Sequence, residues 1–143
     1  MLDLDLAKRV LKERNLSLVI AKRSRLLFES RSSGISGLLQ AVGDLKENLH
    51  DSSVADRVVG RAAALVLAQS GVKGVYAATL SKEGLRVLEE NDIYIEHDNL
   101  VPKILDKEGK SICPFERFSA TIESVDEAYE ELRTFAESLR ERG

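Results

Sequence analysis

Apolar residues recur along this chain with two different periods, and the points where the period changes divide it into elements. Leu6, Val10 and Leu11 share one helical face among lysine, arginine and glutamate, which predicts an amphipathic helix within the first 15 residues. Two short runs of bulky and β-branched residues follow, Ser17 to Ala21 and Leu26 to Ser30. Separated by Lys-Arg-Ser, they read as a hairpin, although no Asn-Gly turn joins them. Ser32 to Gly37 punctuates the chain, and Ser36 is placed to cap a helix from about Leu38 to Leu49 with the stripe Leu38, Leu39, Val42, Leu45 and Leu49.

The next stretch predicts a longer helix. Asp51-Ser52-Ser53 offers an N-cap, Asp56 stands three residues beyond Ser53 in a box-like position, and Gly71 supplies a left-handed stop after Gln69. After Arg61 this segment is almost wholly apolar, so it is expected to lie buried against a sheet as the central helix. Val72 to Thr79 reads as a buried strand. Ser81 caps a helix from Lys82 to Glu90, and Ile93 to Glu96 reads as a further strand with Ile93 and Ile95 on one face and Tyr94 and Glu96 on the other. Strand, helix and strand in that order imply a right-handed parallel crossover. Leu100 to Leu105 reads as an edge strand because Pro102 would interrupt a central ladder, and Asp106 to Lys110 as a polar turn. Ser124 with Glu127 forms a capping box for a last helix striped by Val125, Ala128, Leu132, Phe135 and Leu139. With no internal repeat and no linker, the 143 residues are expected to form a single α/β domain, its core over 11–135 and both terminal helices packed on it.

Composition narrows the function classes. Residues that are 43% hydrophobic and 31% charged, with two prolines, describe an ordinary globular chain. The longest apolar stretch, Ala62 to Ala68, is far short of the roughly 20 residues that cross a bilayer, so no membrane association is expected. Asp3 and Asp5 stand where a signal peptide would place positive charge, and the expected location is the cytoplasm. The net charge is −3, with the basic excess in the first half and the acidic excess in the second. Three Tyr, four Phe and no Trp provide little to stack on bases, and Lys22, Arg23, Arg25 and Arg31 read as a solvated turn. No nucleic-acid partner is expected.

The segments Asp56 to Ala64, Leu80 to Leu85 and Cys113-Pro114-Phe115-Glu116 resemble a small prokaryotic family catalogued as domain of unknown function 1893. The likeness runs from about Leu11 to Phe135. It implies a three-layer cytidine-deaminase-like fold, a mixed sheet flanked by helices, and it implies no activity, because that family is uncharacterised. Active deaminases of this fold carry His or Cys, any residue, then Glu at the start of the central helix. They add Pro-Cys-x-x-Cys where the next strand meets its helix, and the three ligands hold a zinc that activates water. Here the segment from Val54 to Gln69 contains no His, Cys or Glu, and the junction reads Thr79-Leu80-Ser81-Lys82-Glu83-Gly84. His50, His97 and the lone Cys113 are scattered without ligand spacing, so neither metal nor cofactor is expected.

Several residues remain as candidates. Read within a helix, Gly60 costs about 1 kcal/mol against alanine, which close approach of another backbone, or of a ligand, would offset. On the same reading Asp56 pairs with Gly60 and Arg57 with Arg61 at one-turn spacing, and the charged groups need solvent, a partner acid or a bound anion. Ser81 and Lys82 open a helix at the carboxyl end of a parallel strand, where exposed amides favour phosphate or carboxylate. The loop Gly34-Ile35-Ser36-Gly37 enters a helix in the same way. Cys113 and Glu116, one turn apart, are candidates for a nucleophile and an acid or base, although a lone cysteine is more often simply buried. The first reading is therefore a pocket for an anionic, nucleotide-like small molecule formed by Asp56, Arg57, Gly60, Arg61, Ser81 and Lys82, with Cys113 and Glu116 at its edge. The alternatives are an interaction or scaffold protein, dimerising through its terminal helices, and a thiol enzyme using Cys113.

Overall fold

The protein is described by a computed structural model covering residues 2–142. Helix α1 (Leu2–Glu13) leads into the antiparallel hairpin β1 (Leu18–Lys22) and β2 (Arg25–Ser30), as the pattern predicts. Its turn holds without glycine. Arg23 and Ser24 both take left-handed φ, 53° and 65°, and the Asp3 carboxylate accepts their amides at 2.9 and 2.8 Å. Residues disfavoured in that conformation are thus held by an anion from a neighbouring helix.

Helix α2 (Ser36–Leu45) tightens into a 3₁₀ turn over Lys46–Leu49. Ser36 is not its cap. Ile35 occupies that position, and the Ser36 hydroxyl donates to the Ser33 carbonyl at 3.1 Å.

The largest departure from the pattern comes next. Ser53–Val59 is not the first part of a long helix but strand β3, and helix α3 begins only at Arg61, running to Gln69 with Gly60 as its N-cap. Strand β3 hydrogen-bonds antiparallel to β1 on one side and parallel to β4 (Gly74–Ser81) on the other. Pairing on both sides, with Val54 and Ala55 wholly buried on opposite faces, outweighs the cap-like spacing of Ser53 and Asp56. The one-turn pairings of Asp56 with Gly60 and of Arg57 with Arg61 therefore do not exist.

Gly71 ends the α3 segment at φ 69°, as expected. Ser81 closes β4 and caps α4 (Lys82–Glu90), its hydroxyl accepting the Gly84 amide at 2.9 Å. Strand β5 (Tyr94–Val101) lies parallel to β4 and is longer than the pattern predicts. It ends before Pro102, so Leu100 to Leu105 is not a separate strand, and Leu105 makes only an isolated bridge to Ile112. A short helix α5 (Pro114–Ser119) precedes a 3₁₀ turn at Val125–Glu127 and the terminal helix α6 (Ala128–Arg142). Ser124 caps that turn through the Asp126 amide at 3.2 Å, and Glu127 meets it through its backbone amide, at 3.2 Å from the Ser124 carbonyl, rather than through the side chain of a capping box.

The sheet order is β2-β1-β3-β4-β5. Helix α1 covers one face, burying Leu4, Ala7, Val10 and Leu11 against Val19, Ala55 and Tyr76. Helices α2, α3 and α4 cover the other face, and α5 and α6 pack outside α3 through Phe115, Phe118 and Phe135. Among the described residues no helix is long and apolar enough to cross a membrane.

Candidate functional site

The carboxyl end of β3 carries the candidate site. Val54 points into the core between the sheet and α2–α3, and by strand alternation Asp56, two residues on, faces the same way. Where a core residue would meet apolar cover, Asp56 meets a cavity of about 240 Å³. Ser33, Gly34 and Ile35 from the loop entering α2 wall one side, and Ile104, Cys113 and Glu116 wall another. The Asp56 side chain is 8% exposed, and one carboxyl oxygen accepts the Val58 amide at 3.3 Å. Among the described residues this is the one hydrogen bond the side chain makes, with the Arg57 amide acting on the same carboxyl from nearby. Burial pushes the Asp56 pKa from 3.8 up to about 7, against the smaller opposing pull of the Val58 and Arg57 amides.

Glu116 faces the same cavity with a different commitment. Its two carboxylate oxygens accept the Arg61 and Ala62 amides at 2.7 and 2.9 Å, capping α3 from outside the helix. An anion was expected at the amides that open α4, whereas it is the start of α3 that holds one, a carboxylate of the chain itself. This explains Gly60. A Cβ there would stand 2.0 Å from Glu116 Oε1, so the close neighbour is a carboxylate and not a second backbone. The backbone approach occurs instead at Gly84, whose Cβ would lie 3.1 Å from the Gly60 and Val59 carbonyl oxygens. Burial raises the Glu116 pKa, with the Ala62 and Arg61 amides and the Arg61 guanidinium acting the other way.

The cations named from the sequence are engaged elsewhere. Arg57 directs Nε to the Leu16 carbonyl at 2.7 Å and Nη2 to the Asn15 side chain. Arg61 donates to the Ser119 and Ile122 carbonyls at 3.2 and 2.9 Å, tying α3 to the segment between α5 and α6. Arg61, Ser81 and Lys82 do not line the cavity: the Ser81 hydroxyl is spent on Gly84, and Lys82 is exposed. The structure thus brings Asp56, Arg57, Gly60, Cys113 and Glu116 together and leaves the other three outside. Sequence reasoning missed Ser17, Val58, Ile104 and Phe115 as lining residues. Only contact between distant segments could reveal them.

Residues 6–136 match the family described as TM1506, domain of unknown function (DUF1893). The chain belongs to the DUF1893 family. A crystal structure of the DUF1893 protein TM1506 from Thermotoga maritima superposes with a TM-score of 0.84 at 30% identity, covering 92% of this chain and 88% of that one. RibD of Acinetobacter baumannii, form 1, superposes with a TM-score of 0.52 at 17% identity, over 68% of this chain and 34% of RibD. That likeness concerns the fold alone. An apo dCMP deaminase from the cyanophage S-TIM5 is matched at a TM-score of 0.47 and 18% identity, over 66% of this chain and 90% of that one. No curated protein sequence matches the chain. The architecture is the deaminase-like α/β fold that the sequence resemblance implied.

The zinc of active deaminases does not fit this DUF1893 chain. Where the central helix begins, Arg61, Ala62 and Ala63 present no imidazole, thiol or free carboxylate, and Glu116 already spends both oxygens on amides. At the junction of β4 and α4 stand a hydroxyl used as a cap and an ammonium group. Neither is a ligand for zinc. Among the described residues no three His, Cys, Asp or Glu side chains gather where a metal ion could sit.

Proposed function

We propose that this DUF1893 protein binds a small molecule in the cavity at the carboxyl end of β3, with Asp56 as the anchoring group. The observation that carries this reading is a carboxyl group more than nine-tenths buried that lines a cavity and accepts a single hydrogen bond from the protein. Burying an ionisable carboxyl is costly unless it is paired, so an acid kept at a cavity wall is one that an incoming group can complete. The position agrees with the general placement of ligands in open α/β sheets, beyond the carboxyl ends of the strands. A volume of about 240 Å³ suits a compact molecule rather than an extended cofactor.

Ala63 lines the cavity from α3 and is nearly buried. Substituting Ala63→Leu directs the added carbons into that space, so the variant is expected to stay folded at a cost of no more than roughly 1–3 kcal/mol. In a melting screen against a chemically diverse set of small molecules, compounds that stabilise the native protein are expected to lose that effect in Ala63→Leu. Retention of stabilisation by every active compound in the filled variant would move the site elsewhere and overturn the reading.

A further inference from the structure

We infer that the ligand of this cavity carries a positively charged nitrogen, an amine or amidine, on a compact apolar body. This rests on the cavity being a ligand site, and it departs from the anionic ligand that the sequence suggested.

The groups facing Asp56 decide the charge. From the start of α5 come the Cys113 thiol and the Glu116 carboxylate, from the loop entering α2 no titratable group, and from β3 itself Arg57. The Glu116 oxygens are held by two helix amides, and the Arg57 guanidinium is held by Leu16 and Asn15. Arg61 is bonded to two carbonyls behind α3. An anion entering the cavity would thus meet two acids and one arginine already committed elsewhere, whereas a cation would meet a carboxyl that accepts only one hydrogen bond from the protein. Ile35, Val58, Ile104 and Phe115 supply the apolar remainder of the wall. A neutral amide could also bond to the oxygen, but an asparagine of the same shape would serve such a ligand without the cost of burying an ionisable acid. The acid is useful when the incoming group brings the opposite charge.

The test uses three probes of one shape on the native protein: benzamidine, benzamide and benzoate. Binding is followed by the amide resonances of Val58, Arg61 and Ala62 and by the carboxyl resonance of Asp56. Benzamidine is expected to bind best. Since it pairs with the ionised carboxylate, its Kd should rise about tenfold for each pH unit below 7 and level off above pH 8. It should also move the Asp56 titration to lower pH, a readout that needs no variant. Asp56→Asn should weaken benzamidine at least tenfold and abolish the pH dependence while leaving the melting transition cooperative. If benzamide or benzoate binds these same amides as tightly as benzamidine, the inferred charge is wrong and the cavity remains a ligand site. If none of the three perturbs them at millimolar concentration, both the charge and the site are overturned.

Discussion

Asp56 is a single residue with consequences in two states. In the folded protein its pKa stands near 7, and in the unfolded chain near the ordinary 3.8. Between these values the folded state keeps a proton that the unfolded state has lost. Stability therefore falls as pH rises through that window, at up to roughly 1.4 kcal/mol per pH unit and roughly 4 kcal/mol in all, and is flat above it. Asp56→Asn removes the titrating group while keeping the shape. The variant is expected to lose this component of the pH dependence and to exceed the wild type by a few kcal/mol at pH 8. Chemical denaturation at pH 5 and pH 8 checks it, and a wild-type difference between the two that survives intact in Asp56→Asn would contradict the assignment. The sequence showed an acid next to a valine run. It could not show that the acid looks into a cavity, because the cavity's walls come from residues 33–35, 56–63 and 104–116.

At the scale of elements, the start of α3 is a joint between three segments. Glu116 caps it, Gly60 leaves room for that carboxylate, and Arg61 returns two hydrogen bonds, one to the end of α5 and one to the chain just beyond it. Gly60 has φ −106°, which any residue adopts, so its need for glycine is steric rather than conformational. Gly60→Ala is expected to expel Glu116, break both amide bonds and cost roughly 2–4 kcal/mol. In a Glu116→Ala background the same substitution should cost little. A double-mutant cycle by urea unfolding measures the coupling, and additive costs would show that the two positions do not meet. The sequence marked both Gly60 and Glu116 as residues in want of a reason. The reason was one contact between positions 56 apart in the chain.

Across the whole molecule, the family resemblance and the deaminase-like sheet stand together with a donor set that does not suit the deaminase metal. Prolonged treatment with EDTA is therefore expected to leave the melting temperature unchanged within a degree or so. Loss of stability together with release of one zinc per chain, measured by elemental analysis, would refute that expectation. The two faces of the sheet are also sealed differently. Helix α1 alone closes one of them, with the Lys8 and Lys12 ammonium groups 4.8 and 5.4 Å from the centre of the Tyr76 ring. The Tyr76 hydroxyl donates to Asp98, and burial, followed by that acid, pushes its pKa to about 12. The cavity lies on the other face, where three helices and two loops must meet without a single element covering the strand ends.

Elements whose signal is local could be read directly from the residues. The opening helix, the hairpin, the Gly71 stop, the Ser81 cap and the amphipathic last helix each rest on residues within one or two turns of one another. The sequence also showed that the deaminase ligand motifs are missing from the Val54 to Gln69 segment and from the Thr79 to Gly84 junction, because a motif is a local pattern. The tertiary structure decided the identity of 53–59, because that run of valine, alanine and two charges suits a helix or a strand until β1 and β4 supply hydrogen bonds on both sides. It decided the site for the same reason. Burial, pairing and the charge a pocket tolerates depend on which distant residues arrive, and no local pattern records that.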